Sequence, residues 1–67
     1  MSVARVTEIT AASKTGFEDA IKAGIDRANE TLRNVSGAWI QDMKIEVEKG
    51  KIVEYRVNMK VTFILDV

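Results

Sequence analysis

The chain has 67 residues, of which ten are basic and ten are acidic, and it contains neither Cys nor His. A domain of this size is only marginally stable alone. Because Cys and His are missing, disulfides and the common zinc sites are excluded as additional sources of stability. Of the residues, 46% are hydrophobic, and one helix with a few strands cannot bury so many apolar side chains. We therefore expect oligomerisation to cover the apolar surface that remains exposed.

The balanced charge argues against nucleic acid as a partner of the chain. No stretch concentrates Lys and Arg into a stripe that would neutralise a run of phosphates, so nucleic acid is not an expected partner. The first ten residues lack the apolar core of a secretory signal, and no run is long enough to span a bilayer. We therefore expect a cytoplasmic protein without a membrane partner.

The first two predicted elements are a strand and an amphipathic helix. Residues 3–10 are rich in β-branched side chains and predict the strand. Ser13 is the expected N-cap of a helix over residues 14–34, which Asn34 or Gly37 is expected to end. Close packing would compensate the cost of glycine inside this helix. The apolar stripe consists of Phe17, Ala20, Ile21, Gly24, Ala28 and Leu32.

Two further strands are predicted by apolar and polar residues that alternate over residues 38–47 and 51–65. The segment Glu48-Lys49-Gly50 predicts a three-residue hairpin loop between them. A two-residue loop is rejected because it would set charged residues of the second strand among apolar residues of the third. The three-residue loop pairs Val47 with Lys51, Ile45 with Val53, Met43 with Tyr55, Trp39 with Met59, Lys44 with Glu54, and Asp42 with Arg56.

The order of the elements predicts the topology. A right-handed crossover makes the first two strands parallel and places the third between them. The expected fold class is α+β, a β-α-β-β subunit whose three-stranded, antiparallel-type sheet wraps around one amphipathic helix. Such a sheet leaves its outer face and both edges open, which again indicates a partner.

Three sequence motifs carry a resemblance to a known family. They are the opening strand RVTEITAAS before a Ser-capped helix, the segment IDRANETLRNV, and the hairpin KGKIVEYRVNMKVTFILD. In order, spacing and total length they resemble the dodecins, and the match treats residues 1–67 as a single domain. The resemblance implies a hollow homododecamer of cubic symmetry. It also implies a non-enzymatic protein that binds a flavin (riboflavin, FMN or FAD) and stores or buffers it.

The resemblance also implies a binding site. In the family, a Trp shortly after the helix stacks on the flavin, and a Gln after the Tyr of the last strand contacts the polar ring edge. Matched without gaps, these positions are Gly37 and Arg56 here. Trp39 lies two residues beyond Gly37, on the same strand face, where it would supply a displaced stacking surface. Gln41 is a further candidate for hydrogen bonding to the flavin.

Each candidate residue also has a structural interpretation. Trp39 would pack against Met59 or across a subunit interface, and Gly37 would form the turn from helix to strand. Arg56 would pair with Asp42 across the strands, although its guanidinium also suits a phosphate or carboxylate. Gln41 would only line a polar interface.

Two alternatives to flavin storage remain open. One is a shell that has lost the flavin site and is mainly structural or binds another ligand or a divalent ion. Glu46, Glu48 and Glu54 near the hairpin would supply oxygen ligands for Ca²⁺ or Mg²⁺ around an oligomer axis, although a solvated turn also explains them. The other is an enzyme, which is the weakest case because Cys and His, the usual nucleophile and general base, are missing.

Overall fold

The computed structural model describes residues 3–65, which form three strands and one helix. Strand β1 spans Val3–Ser13, helix α1 spans Phe17–Thr31, strand β2 spans Val35–Glu48, and strand β3 spans Lys51–Leu65. The sheet order is β1-β3-β2, and β3 is antiparallel to both neighbours. The predicted β-α-β-β topology with a central third strand is therefore confirmed.

Helix α1 begins later than residue 14, and Ser13 is not its N-cap. Ser13 is the last residue of β1 and pairs with Tyr55, so the chain must first leave the sheet; the N-cap is Gly16. The Ser13 hydroxyl instead accepts a hydrogen bond from the Thr15 backbone N–H at 2.9 Å and donates one to Asp19 at 2.7 Å. Hydrogen bonding by the side chains of Ser13 and Thr15 lowers the pKa of Asp19. Ser13 therefore holds the turn between strand and helix.

Helix α1 also ends earlier than residue 34. Its C-cap is Leu32, whose extended backbone donates its N–H to the carbonyl oxygen of Ala28 at 2.8 Å. Asn34 then adopts a left-handed backbone with φ of 62°, which Asn tolerates better than most residues. Gly37 lies inside β2, opposite Thr62, so the prediction that Gly37 forms the turn after the helix is wrong.

The core consists of small helix residues packed against the middle of β3. Gly24 is the closest contact, because a Cβ placed there would lie 2.8 Å from Met59 Cε and 3.1 Å from Ala11 Cβ. The expectation that close packing compensates a glycine in the helix is met at this position. The buried residues of α1 and β3 are Ala20, Gly24, Ala28, Val57, Met59 and Val61.

The hairpin loop has two residues, so the predicted three-residue loop is wrong. Lys49 and Gly50 have φ of 52° and 77°, and Glu48 pairs with Lys51. Two left-handed residues in succession are typical of the type I′ turn, whose twist matches that of the flanking strands. Val53 is then an extra residue on β3, and it shifts the register so that charged residues do not face apolar ones.

Three bulges set the register between β2 and β3. They lie at Val53 on β3 and at Gln41 and Ser36 on β2, and each leaves one residue without a partner across the strands. All six predicted pairs are consequently wrong, because they assumed a three-residue loop and an unbroken register. The observed pairs are Val47 with Ile52, Ile45 with Tyr55, Lys44 with Arg56, Met43 with Val57, Asp42 with Asn58, and Trp39 with Lys60.

One apolar part of the sheet is left uncovered. Helix α1 packs on β1 and β3 and barely reaches β2. The Cα radius of gyration is 13.8 Å, against about 11 Å for a compact domain of this length. We call the uncovered helix-side surface of β2 the bare β2 face; its residues, which are 39–54% exposed, are Ile40, Met43, Ile45 and Val47.

Replacing Gly24 by Val is expected to destabilise the fold. The added side chain would meet Met59 and Ala11, and overpacking of this kind costs about 1–3 kcal/mol, more than the helix gains from losing glycine. The measurement is the thermal unfolding midpoint at a fixed protein concentration. Ala23→Val is the matched control, because Ala23 is the exposed neighbour on the same helix. Equal midpoints for the two variants would contradict the packing described here.

The sequence leads us to expect that neighbouring copies cover the bare β2 face, and replacing Met43 by Lys is then expected to break this assembly. Met43 is 54% exposed in the isolated subunit, and an unpaired ammonium buried by a neighbouring copy costs several kcal/mol. The dissociation constant of the assembly should rise about hundredfold or more, as measured by sedimentation velocity across a dilution series. Asp26→Asn changes the net charge by the same amount at an exposed residue of α1 and should leave the assembly intact. If the Met43→Lys protein sedimented with the same assembly mass as the unmodified protein, this interface would be contradicted.

Candidate functional site

The sheet face away from α1, which we call the outer face, carries an exposed aromatic platform. Trp39 pairs with Lys60 on this face and is 78% exposed. Gly37 lies two residues earlier on the same face, opposite Thr62, and a Cβ added there would meet no atom within 4 Å. The predicted packing of Trp39 against Met59 is wrong, because the bulge at Gln41 turns Trp39 to the other side of the sheet. The indole is thus free to stack on a planar molecule.

Arg56 lies on the same face but not beside Trp39. It pairs with Lys44 and lies four positions along β3 from Lys60, which is about 13 Å at the usual strand rise. Its guanidinium donates two hydrogen bonds to one oxygen of Glu54, at 2.6 Å from Nη2 and 3.1 Å from Nε. This contact with Glu54 raises the pKa of Arg56. The predicted pair with Asp42 is therefore wrong.

Arg56 and three charged neighbours form what we call the charged quartet: Lys44, Glu46, Glu54 and Arg56. Across the strands, like charges stand opposite each other, Glu46 with Glu54 and Lys44 with Arg56, an arrangement that is unfavourable by itself. The ion pairs run along each strand instead, at 3.3 Å between Lys44 and Glu46 and 2.6 Å between Arg56 and Glu54. Two cations are thereby held side by side at the surface.

A row of hydrogen-bonded side chains crosses all three strands between the platform and the quartet. Thr10 donates its hydroxyl proton to Asn58 Oδ1 at 2.8 Å, and Asn58 Nδ2 donates to Asp42 Oδ1 at 2.6 Å. We call Thr10, Asn58 and Asp42 the polar row. Sequence reasoning missed Asn58, although an Asn in the middle of a strand is unusual enough to have been a signal.

The outer face thus brings together only part of the predicted site. Gly37 and Trp39 are neighbours, Arg56 lies beyond the polar row, and Gln41 occupies the bulge with an exposed side chain. Along the strands the order is aromatic platform, polar row and charged quartet. This surface can stack on a ring, hydrogen-bond to hydroxyls and contact an anion within one subunit.

A cleft between α1 and the free edge of β1 is a second concavity, with a volume of about 490 Å³. None of the four predicted site residues lines it. Its walls are mostly small side chains, including Ala11, Ala12, Ala23, Gly24 and Ala28. The cleft therefore offers apolar contact and no aromatic platform.

The hairpin carboxylates do not form a metal site in the isolated subunit. Between residues 3 and 65, no three acidic side chains lie close enough together to hold a metal ion. Glu46 and Glu54 are instead engaged by Lys44 and Arg56. The predicted Ca²⁺ or Mg²⁺ site would need ligands from several subunits. In the same residue range, no helix is long and apolar enough to cross a membrane.

Comparison with known proteins relates this geometry to one family. The family model described as Dodecin matches residues 3–66. A dodecin from Thermus thermophilus is 30% identical over 64 residues, which cover 96% of this chain and 93% of that protein. The solved dodecin from Streptomyces davaonensis is 36% identical with a TM-score of 0.93, covering 98% of this chain and 97% of that one.

A further solved relative is named for a ligand. The calcium dodecin of Mycobacterium tuberculosis, described as calcium chelating with a novel calcium-binding site, is 29% identical to this chain. Its TM-score is 0.83, and the match covers 97% of this chain and 93% of that one. A protein of this fold and similarity is thus named for an ion that it binds.

Proposed function

The chain belongs to the dodecin family, and on this basis we propose that it is a non-enzymatic protein that binds a flavin and stores or buffers it as a homododecamer. Riboflavin, FMN and FAD share the planar ring that the site would receive. The proposed location is the cytoplasm.

The observation that carries the proposal is the exposure of Trp39. The apolar surface of an indole that is 78% exposed gains no hydrophobic free energy unless a ligand or another subunit covers it. Its position on the outer face next to the open space at Gly37 supports stacking on a planar ring. Arg56 and Gln41 are proposed to contact the polar parts of the ligand.

The bare β2 face supports self-assembly as the other half of the proposal. It is apolar, continuous along one strand and uncovered by the helix of its own subunit. Exposed apolar patches of this kind mark interaction surfaces. A shell built from identical subunits would cover these patches and bring several Trp39 platforms near one another.

The expected result of a flavin titration is saturable quenching of Trp fluorescence. Trp39 is the only Trp in the chain, so its emission reports directly on stacking. Riboflavin and FMN are titrated separately, and the visible spectrum of the freshly purified protein is recorded for a bound chromophore. Trp39→Ser should weaken flavin binding roughly tenfold or more, since aromatic stacking contributes about 1–3 kcal/mol. No chromophore and no quenching at micromolar flavin would refute flavin storage.

A second candidate function is a shell that no longer binds flavin and holds another ligand or a divalent ion. It is favoured by the two altered family positions, Gly37 and Arg56, and by the relative named for calcium. The carboxylates of Glu46, Glu48 and Glu54 would then be the proposed ion ligands, contributed by several subunits.

Replacing Gly37 by Trp tests whether this position corresponds to the family Trp. The new side chain begins in open space, because a Cβ added at Gly37 would meet no atom within 4 Å, and the substitution restores the family residue. Flavin affinity should rise roughly tenfold or more if this position still faces the ligand. Ala38→Trp is the control, since Ala38 pairs with Val61 on the helix side of the sheet. Unchanged flavin affinity in Gly37→Trp would contradict the match of Gly37 with the family Trp.

A further inference from the structure

The segment of β2 that carries Trp39 is out of phase with the rest of the strand. It spans residues 37–40 and lies between the bulges at Ser36 and Gln41, each of which shifts the register by one residue. A slip of this segment by one residue in either direction would turn Trp39 to the helix side. The slip would bury the indole in exchange for the two residues that flank it, so burial of apolar surface gives no clear preference for the observed register. Polar contacts at the two ends of the segment therefore decide it.

The polar row opposes a slip toward the hairpin. Asp42 pairs with Asn58 directly beyond the Gln41 bulge, and Asn58 Nδ2 donates a hydrogen bond to Asp42 Oδ1 at 2.6 Å. Thr10 fixes the other end of the amide by donating to Asn58 Oδ1 at 2.8 Å. The slip would place Ile40 opposite Asn58 and displace Asp42. The hydrogen bond between the two strands would then be lost.

The contact between Asn34 and Ile64 opposes a slip away from the hairpin. The Ile64 backbone N–H donates to the carbonyl oxygen of Asn34 at 3.0 Å, and Asn34 Nδ2 donates to the carbonyl oxygen of Ile64 at 3.3 Å. The slip would place Gly37 opposite Phe63, which is the present partner of Val35. Asn34 would then separate from Ile64. Each end of the segment thus opposes one of the two directions.

We infer that Asn58, through Asp42, and Asn34, through Ile64, are positioning residues that hold Trp39 on the outer face. Neither residue is assigned a contact with the ligand, because both act by fixing the register of the segment that carries the indole. Their role in stacking rests on the proposed function, whereas the register that they hold does not.

The test uses introduced cysteines as reporters of the register, since the chain has no Cys of its own. Lys60→Cys is combined with Ala38→Cys to detect the slip toward the hairpin, and with Ile40→Cys to detect the opposite slip. In the observed register Lys60 lies on the outer face, whereas Ala38 and Ile40 lie on the helix side, so neither disulfide can form without movement of the strand. The initial rate of disulfide formation within one chain is measured in the assembled protein without flavin, by mass spectrometry of alkylated monomeric chains.

Each variant is expected to affect one reporter. Asn58→Val removes the amide and should raise the rate of the Ala38 reporter about fivefold while leaving the Ile40 reporter within about twofold. Asp42→Ala, at an exposed residue, is a second variant with the same expected result. Asn34→Gly keeps the left-handed backbone accessible and should raise only the Ile40 reporter, about threefold.

The exchange of partners is the matched control. Asp42→Asn combined with Asn58→Asp keeps one amide and one carboxylate across the strands, and it should retain the slow rate of the unmodified reporter. General loosening of the sheet would raise both reporters together and would overturn the inference, as would rates that the single variants leave unchanged. A lack of Trp39 quenching by flavin would overturn the proposed function and leave the assigned register in place.

Discussion

The contact of α1 with the middle of β3 is the constraint on which the rest of the structure depends. The helix reaches the sheet at Gly24, where the backbone lies so close to Met59 and Ala11 that a methyl group would not fit without a shift. This contact uses one side of β3 and part of β1. A helix of 15 residues cannot also cover β2, so the subunit keeps an apolar surface that only another molecule can bury.

The bulges are the second determinant, because they decide which side of the sheet each residue of β2 occupies. A strand with unbroken alternation would place Trp39 with Met43 and Ile45 on the helix side. The extra residue at Gln41 reverses the alternation at that point, and Trp39 emerges on the outer face beside Gly37. One additional residue thus moves this aromatic side chain from the helix side of the sheet to the outer face.

The two faces of the sheet consequently have separate tasks. The helix side supplies the core and, at the bare β2 face, the proposed contact between subunits. The outer face carries an aromatic platform, the polar row and the charged quartet in sequence. In the proposed function these tasks are coupled, because assembly buries the apolar strand and gathers the platforms of neighbouring subunits into walls of a shared pocket.

The sequence by itself determined much of the fold. The spacing of apolar residues indicates each element, and the order of the elements limits how they can be connected. The alternation in β3, the helical stripe and the strand-helix-hairpin order were sufficient for the β-α-β-β topology with a central third strand. The tertiary structure alone decided the register, the partners of Arg56 and the side of the sheet on which Trp39 lies. A bulge leaves little trace in a pattern of apolar and polar residues, since its stability comes from how the twisted strands and their neighbours pack. One such residue moves every later side chain to the opposite face.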